Sequence, residues 1–376
     1  MNSGESHPRI RHLPGTSTLK LTLTEAIKTE SLRLGFSSVG IAPASALNRR
    51  KAELEHWLSM GFSGGLGYME SFLHRQSDLL AKIPDLKSVI VLTAPYANGR
   101  EIRLPPGAGK IARYAHGKDY HRVIGKKLDN LEEFLRDLAP EIRTIRSVDT
   151  SAIQERTLAE SAGLGFVGKN SCLIRPKEGS YLFLAALLTN LELVSDKPIQ
   201  WDCGSCNLCL EACPTGALSP ERPYQLDANK CISSLTIENR GTIPPSLRSA
   251  IGDWLFGCDV CQEVCPYNRK TDHSPWPEFQ ARHGAGAAPT LADILAIRTD
   301  ELFVRRFAGT PLMRAKRQGF LRNAAVVAGN SGNPELIEPL KEAAESDSSE
   351  LVREHAAWAI FRIKQALKTS PDPKIP

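Results

Sequence analysis

Cys203-Gly204-Ser205-Cys206-Asn207-Leu208-Cys209-Leu210-Glu211-Ala212-Cys213-Pro214 is the stretch that decides how this chain folds. Its ending recurs in Cys258-Asp259-Val260-Cys261-Gln262-Glu263-Val264-Cys265-Pro266, and Cys231 stands between the two, so eight of the nine cysteines fall into two groups. This is the ligand number and spacing of two [4Fe-4S] clusters. Two-residue gaps let one tight loop aim three thiolates at one cube, while the fourth cysteine reaches the other. The expected sets are Cys203, Cys206, Cys209 and Cys265 on one cluster, and Cys213, Cys231, Cys258 and Cys261 on the other. The twenty-six residues between Cys231 and Cys258 mark an insertion beside the second cluster. Structural zinc is the alternative that C-x2-C pairs leave open.

Nothing in the sequence reads as a signal peptide or an apolar run long enough to span a bilayer. Arg49-Arg50 is followed by Lys51-Ala52-Glu53-Leu54-Glu55, not by the apolar stretch an export signal needs. The thiols are therefore expected to stay in a reducing cytoplasm, which argues against disulfides. Cys172 reads as a small buried residue.

With 376 residues, 41% hydrophobic and 24% charged, the chain has material for two or three cores. Residues 1–17 are polar with Gly and Pro, residues 369–376 are rich in Pro, and both are expected to be disordered. The net charge of +5 is unevenly placed. Between Arg298 and Arg322 stand seven basic residues (Arg298, Arg305, Arg306, Arg314, Lys316, Arg317, Arg322) against Asp300 and Glu301. That stretch is either a polyanion-binding surface or a solvated basic face.

From 18 to 199, helical and strand patterns alternate. Helices are expected over 23–34, 47–60, 119–138 and 153–162, and strands over 39–41, 88–93, 145–148 and 181–188. The expected class is α+β with a mixed sheet, since no Gly-rich nucleotide loop follows the first strand. Residues 200–270 form the cluster module. After a linker over 271–289, residues 290–368 read as helical, and Arg322-x2-Ala325-x2-Ala328 recurs as Arg353-x2-Ala356-x2-Ala359. Small residues at that interval permit close helix approach, the mark of a HEAT-like pair that must dock on the cluster module. An unrelated helical hairpin is the alternative.

Clusters move single electrons, so a second centre must make and break bonds. Val148-Asp149-Thr150 with Glu155-Arg156, and Ala162-Gly163-Leu164-Gly165 leading to Gly168-Lys169-Asn170, place a carboxylate at a strand end. Glycines there admit a large flat ligand and Lys169 and Asn170 can donate to it. Asp149 could equally cap a following helix. Asp119-x-His121 fails the D-x-H-x2-G pattern of cobalt ligation because Ile124 stands where glycine is needed, and both residues read as capping and surface positions.

From about Leu21 to Leu367 the chain resembles the epoxyqueuosine reductases, cobalamin- and iron-sulfur-dependent enzymes of tRNA modification. The resemblance rests on Ala115-x-Gly117-x-Asp119-Tyr120-His121, the Asp149 and Gly163 to Asn170 segments, both cysteine groups with Cys231-Ile232-Ser233-Ser234-Leu235-Thr236, and the C-terminal repeats. It implies base-off cobalamin in the N-terminal domain, reduced one electron at a time through the clusters, and tRNA held by the helical region. The implied reaction converts epoxyqueuosine at the tRNA wobble position to queuosine with loss of water. Asp149 is implied as proton donor, which would require its pKa to rise by roughly 2 to 3 units from about 3.9. Arg75, Ala112, Lys169, Asn170 and Ser234 are implied cobalamin contacts, while Arg314, Lys316, Arg317 and Arg322 are the expected tRNA contacts. A monomer is implied too. The rival readings are a reductive dehalogenase, which pairs the same cofactors, and a plain iron-sulfur electron carrier.

Overall fold

The computed structural model describes residues 16–97, 104–271 and 274–369. Residues 1–15 and 370–376, where the sequence expects frayed ends, lie outside the described residues; Thr16 and Ser17 already belong to the first helix, and Thr369 closes the last.

Four strands, β1 (Ser38–Pro43), β2 (Ser88–Pro95), β3 (Thr144–Ser147) and β4 (Leu182–Thr189), form one sheet in the order β1-β2-β4-β3. The near-continuous apolar runs of β2 and β4 explain why the sheet is buried on both faces. Ile90, Leu92, Ala185 and Leu187 face the helices Thr16–Arg33 and Tyr120–Leu138, packing on Ile27, Ile124, Leu128 and Leu131. Val89, Val91, Ala186 and Leu188 face Leu158 and Ala159 of the helix Glu155–Ser161.

Every pairing in this sheet is antiparallel, which corrects the expected mixed sheet. The apolar strand β4 takes the central place and both of its neighbours run against it. Among the described residues the parallel pairing is a two-residue contact, Lys110–Ile111 with Trp254–Phe256, which ties the N-terminal domain to the cluster module. The helix expected over 47–60 is divided into a 3-10 turn at Ala44–Asn48 and a helix at Lys51–Ser59. A further helix, Phe72–Leu80, carries Arg75.

The cluster module and the C-terminal helices share one core. Ile232, Ile243, Leu255 and Phe256 pack with Phe320, Leu321 and Val327 of the helix Lys316–Ser331 and with Ala356 and Ala359 of the helix Glu350–Thr369. The two helices approach so closely that a Cβ on Gly329 would lie 2.8 Å from the Trp358 ring and 2.9 Å from the Ala359 backbone. Small residues at positions 325, 328, 356 and 359 therefore serve helix packing. The segment expected as a linker is a strap, with Trp276 and Phe279 buried in the N-terminal core.

Candidate active site

Cys203, Cys206, Cys209 and Cys265 line one small cavity together with Lys169, Asn170 and Tyr267. Cys213, Cys231, Cys258 and Cys261 form a second group whose charges act on one another. The chain achieves this exchange because Leu208–Glu211 and Val260–Glu263 are single helical turns, each carrying its last cysteine away from the preceding three-residue loop. All nine cysteines are free of disulfides.

Lys169 and Asn170 serve these loops. Lys169 is only 8% exposed, and its Nζ donates to the carbonyls of Gly204 and Cys206 at 2.9 and 3.0 Å and to Asn207 Oδ1 at 2.9 Å. Its backbone N–H points at Cys203 Sγ, 3.4 Å away. Asn170 Nδ2 donates to the Cys261 carbonyl, and its Oδ1 accepts from the Cys172 N–H. Both expected cobalamin contacts are thus spent on the cysteine loops. Ala112 is enclosed by protein. It is 1% exposed, its N–H is taken by Phe256, its carbonyl by Ala115, and its methyl faces Gly257. Ser234 is buried near the start of the helix Ile232–Ile237, and the backbone N–H groups of Ser233 and Ser234 point at the Cys231 thiol.

Asp149 lies beyond the end of β3 and is not a helix cap, since the helix begins at Glu155 behind Gln154. It adopts a left-handed φ of 61°, a conformation uncommon for residues other than glycine. Glu155 holds this turn, accepting from the Asp149 N–H at 2.8 Å and from Ser147 Oγ at 2.7 Å. The carboxyl stands in a recess: its side chain is 65% open to solvent, yet protein surrounds it. Tyr120 Oη donates to Asp149 Oδ2 at 2.6 Å, and His121 Nε2 lies 3.6 Å from the same oxygen. His121 Nδ1 sits 2.7 Å from Asp119 Oδ1, and its ring stacks on Tyr120. Asp119 caps the helix Tyr120–Leu138, as expected, but His121 is no mere surface residue.

The charges follow from these contacts. Burial would raise the Asp149 pKa, but the nearby His121 imidazolium and the Tyr120 hydrogen bond outweigh it and hold the carboxyl below its usual range. Burial would lower the His121 pKa, but its hydrogen bond to Asp119 and the nearby Asp149 carboxylate push it up to about 9. Burial, with the Asp149 charge beside it, pushes the Glu155 carboxyl up to about 7. The expected elevation of Asp149 is therefore absent; the protons stand on its neighbours, His121 and Tyr120.

The outer wall of the recess comes from elsewhere in the chain. Tyr68, Glu238 and Arg314 lie within electrostatic reach of one another, and Tyr68 and Arg314 also of Asp149. On the inner side, the Cys172 thiol is hydrogen-bonded to Cys261 and senses Arg156, which in turn acts on Asp149. Cys172 thus touches a cluster ligand, which its isolated position in the sequence did not reveal. Arg75 Nη2 donates to the Tyr68 carbonyl at 2.8 Å, while its Nε is buried with no partner, as is His121 Nε2 by hydrogen-bond criteria.

The four expected tRNA contacts divide. Arg317 is 4% exposed and grips Asp347 with two bonds of 2.8 and 2.9 Å. Arg322 is fully buried and donates to the carbonyls of Leu235, Asn239 and Gly241. Neither can meet a polyanion. Arg314 and Lys316 are exposed, with Arg314 forked onto Glu238.

Known proteins match this arrangement. A family model described as "4Fe-4S double cluster binding domain" matches residues 202–268, and one described as "Epoxyqueuosine reductase QueG, DUF1730" matches residues 77–150. An epoxyqueuosine reductase of Pseudomonas aeruginosa is 39% identical over 346 residues, covering 90% of this chain and 94% of its own. A solved epoxyqueuosine reductase with an epoxyqueuosine-modified tRNA-Tyr stem loop superposes with a TM-score of 0.82 at 33% identity, covering 94% of this chain and 96% of its own. Another, from Bacillus subtilis, was captured with its catalytic aspartate loop swung out of the active site, and matches at 31% identity with a TM-score of 0.81, covering 94% of this chain and 96% of its own.

Proposed function

Because this chain belongs to the epoxyqueuosine reductase family, we propose that it reduces epoxyqueuosine to queuosine in tRNA, with Asp149 delivering a proton to the departing oxygen. Converting an epoxide to an alkene consumes two electrons and two protons and releases water. The observation that carries the reading is the position of Asp149, in a recess whose inner wall is reached from Cys261 through Cys172 and Arg156.

Two [4Fe-4S] clusters carry the electrons. The group of Cys213, Cys231, Cys258 and Cys261 reaches the recess through the Cys261–Cys172 contact, whereas the group of Cys203, Cys206, Cys209 and Cys265 lines a separate cavity with Tyr267. The second, outer set is then the entry point and the first, inner set the one that serves the reaction.

The recess suits cobalamin on two grounds: it is open above Asp149, and Arg75, bound to the backbone of Tyr68 in its wall, keeps a buried Nε without a partner. Arg75 and the edge of the Ile232–Ile237 helix, with Ser234, would hold the corrin. When bound, cobalamin supplies a metal centre able to pass electrons to an epoxide carbon. The chain's own residues manage the proton. Asp149 alone would be a poor acid at neutral pH, but it accepts from Tyr120 and lies beside a protonated His121. A proton handed to the leaving oxygen through Asp149 is replaced from His121, and Asp119 keeps that imidazole charged and oriented. Asp149 therefore acts as the last member of a relay.

Exposed Lys316 and Arg305 are left as contacts for tRNA phosphates, the C-terminal HEAT-like helices serving as their platform. No helix of the described residues is long and apolar enough to cross a membrane. We place the protein in the cytoplasm as a monomer, where a reducing environment preserves the thiols. The test is mass spectrometry of tRNA nucleosides after incubation with protein carrying both clusters, cobalamin and a reductant. Loss of one oxygen from epoxyqueuosine is expected, and an unchanged nucleoside would overturn the reading.

A further inference from the structure

Glu238 and Arg314 form a pair that the electron path and the proton relay leave unused. Arg314 Nε lies 2.8 and 3.0 Å from the two carboxylate oxygens of Glu238, and its Nη2 is 2.8 Å from Oε2. The Glu238 side chain is only 18% exposed, whereas Arg314 is 54% exposed and its guanidinium lies over the Tyr68 ring, 5.8 Å from the centroid. Glu238 is rigidly presented: its N–H donates to the Ser234 carbonyl, and buried Arg322 clamps the turn that follows through Asn239 and Gly241. Tyr68 is 44% exposed and lies within the fields of both Glu238 and Asp149, so the pair stands at the mouth of the same recess.

A carboxylate that accepts two N–H donors of a guanidinium fork offers the same two acceptors to any edge with two parallel donors. The N1–H and exocyclic amine of a guanine-type base are such an edge. The base of epoxyqueuosine is a 7-deazaguanine and keeps both groups. A base must leave its stack to bring its side group into a recess, and aromatic or guanidinium faces are what an unstacked base packs on.

We propose that Glu238 reads the N1–H and 2-amino edge of the flipped wobble base, with Tyr68 as its stacking face and Arg314 as the occupant it displaces. The proposal rests on the tRNA substrate argued above. It makes Glu238 a specificity-determining residue, distinct from the proton relay. Arg314, released from Glu238, becomes free to meet a phosphate of the same RNA.

The test uses the protein with both clusters and cobalamin, and anticodon stem loops carrying guanosine or inosine at the wobble position; inosine lacks the 2-amino group. Fluorescence anisotropy is expected to show about tenfold tighter binding of the guanosine loop by the unaltered protein, the worth of one hydrogen bond to a charged group. Glu238→Gln should bind both loops alike and raise KM for epoxyqueuosine tRNA while leaving kcat within a few-fold. Arg314→Ala should keep the preference, since the reader remains. No preference in the unaltered protein, a full preference in Glu238→Gln, or its loss in Arg314→Ala would each overturn the inference. None of these three binding results depends on turnover. Failure of the unaltered protein to reduce epoxyqueuosine would instead strike the proposed function.

Discussion

The cysteine module and the Asp149 recess are built in opposite ways. The module draws its ligands from short runs of fixed spacing, closed by single helical turns at Leu208–Glu211 and Val260–Glu263. The recess draws Tyr68, Tyr120, Asp149, Glu238 and Arg314 from five separate segments. Electron carriage needs only that ligands bond to iron, and local spacing secures that. Proton delivery needs side chains that hold one another's charge, so it depends on how the domains meet.

The sharpest way to break this comparison is to remove one ligand from the inner group. Cys261→Ala should leave the outer cluster in place, reduce bound iron from about eight towards about four per chain, and abolish reduction of epoxyqueuosine. Iron analysis with electron paramagnetic resonance checks it. Retained turnover with one cluster would mean that the inner group is not on the electron path.

Asp149→Asn tests the other half while sparing the first. The amide still accepts from Tyr120 but cannot carry a proton, so turnover should fall by roughly 10²- to 10⁴-fold with iron content unchanged. Single-turnover assays on modified tRNA supply the measurement. A variant within a few-fold of the unaltered rate would remove Asp149 from the relay.

His121 gives the comparison a pH axis. Its folded pKa of about 9 lies above the ordinary 6.5, because the imidazolium gains Asp119 and Asp149. The stability from those contacts is therefore fully present below pH 6.5 and is lost as pH climbs through about 9. Chemical denaturation between pH 6 and 10 should show this decline, and His121→Gln should flatten it. An unchanged slope in the variant would show that the imidazole is not charged by its neighbours.

The sequence made the eight thiols legible, along with the α+β class and the place of Asp149 at a strand end, since each depends on local spacing or periodicity. Less legible was everything decided by contact at a distance. Lys169 and Asn170 promised ligand contacts but fold over the cysteine loops, because Lys169 finds three oxygen acceptors there. His121 looked like a cap residue because Asp119 does cap that helix, while its other nitrogen faces Asp149, twenty-eight positions away. An antiparallel sheet cannot be told from a mixed one by alternation, which is the same in both. Charge counting failed in the basic stretch for a related reason: a sum over Arg298 to Arg322 does not say which side chains point inward.

That stretch holds the smallest and most discriminating contrast, between Arg317 and Lys316, adjacent residues of like charge. Arg317 is buried against Asp347, whose side chain is fully enclosed. Truncating it leaves a carboxylate with its main partner gone, at a cost of about 3 to 5 kcal/mol. Arg317→Ala should therefore lower the melting temperature by several degrees, and any RNA-binding loss should follow the loss of folded protein. Lys316 is exposed and has a left-handed φ of 61°, so Lys316→Ala should leave stability within about 0.5 kcal/mol. If it meets a phosphate, its loss should make the log-log salt dependence of tRNA binding shallower by about 0.7 to 0.9. Calorimetry and salt titrations on the two variants separate structural from binding charge. A shallower salt slope in well-folded Arg317→Ala protein would show that burial does not divide these residues as the fold indicates.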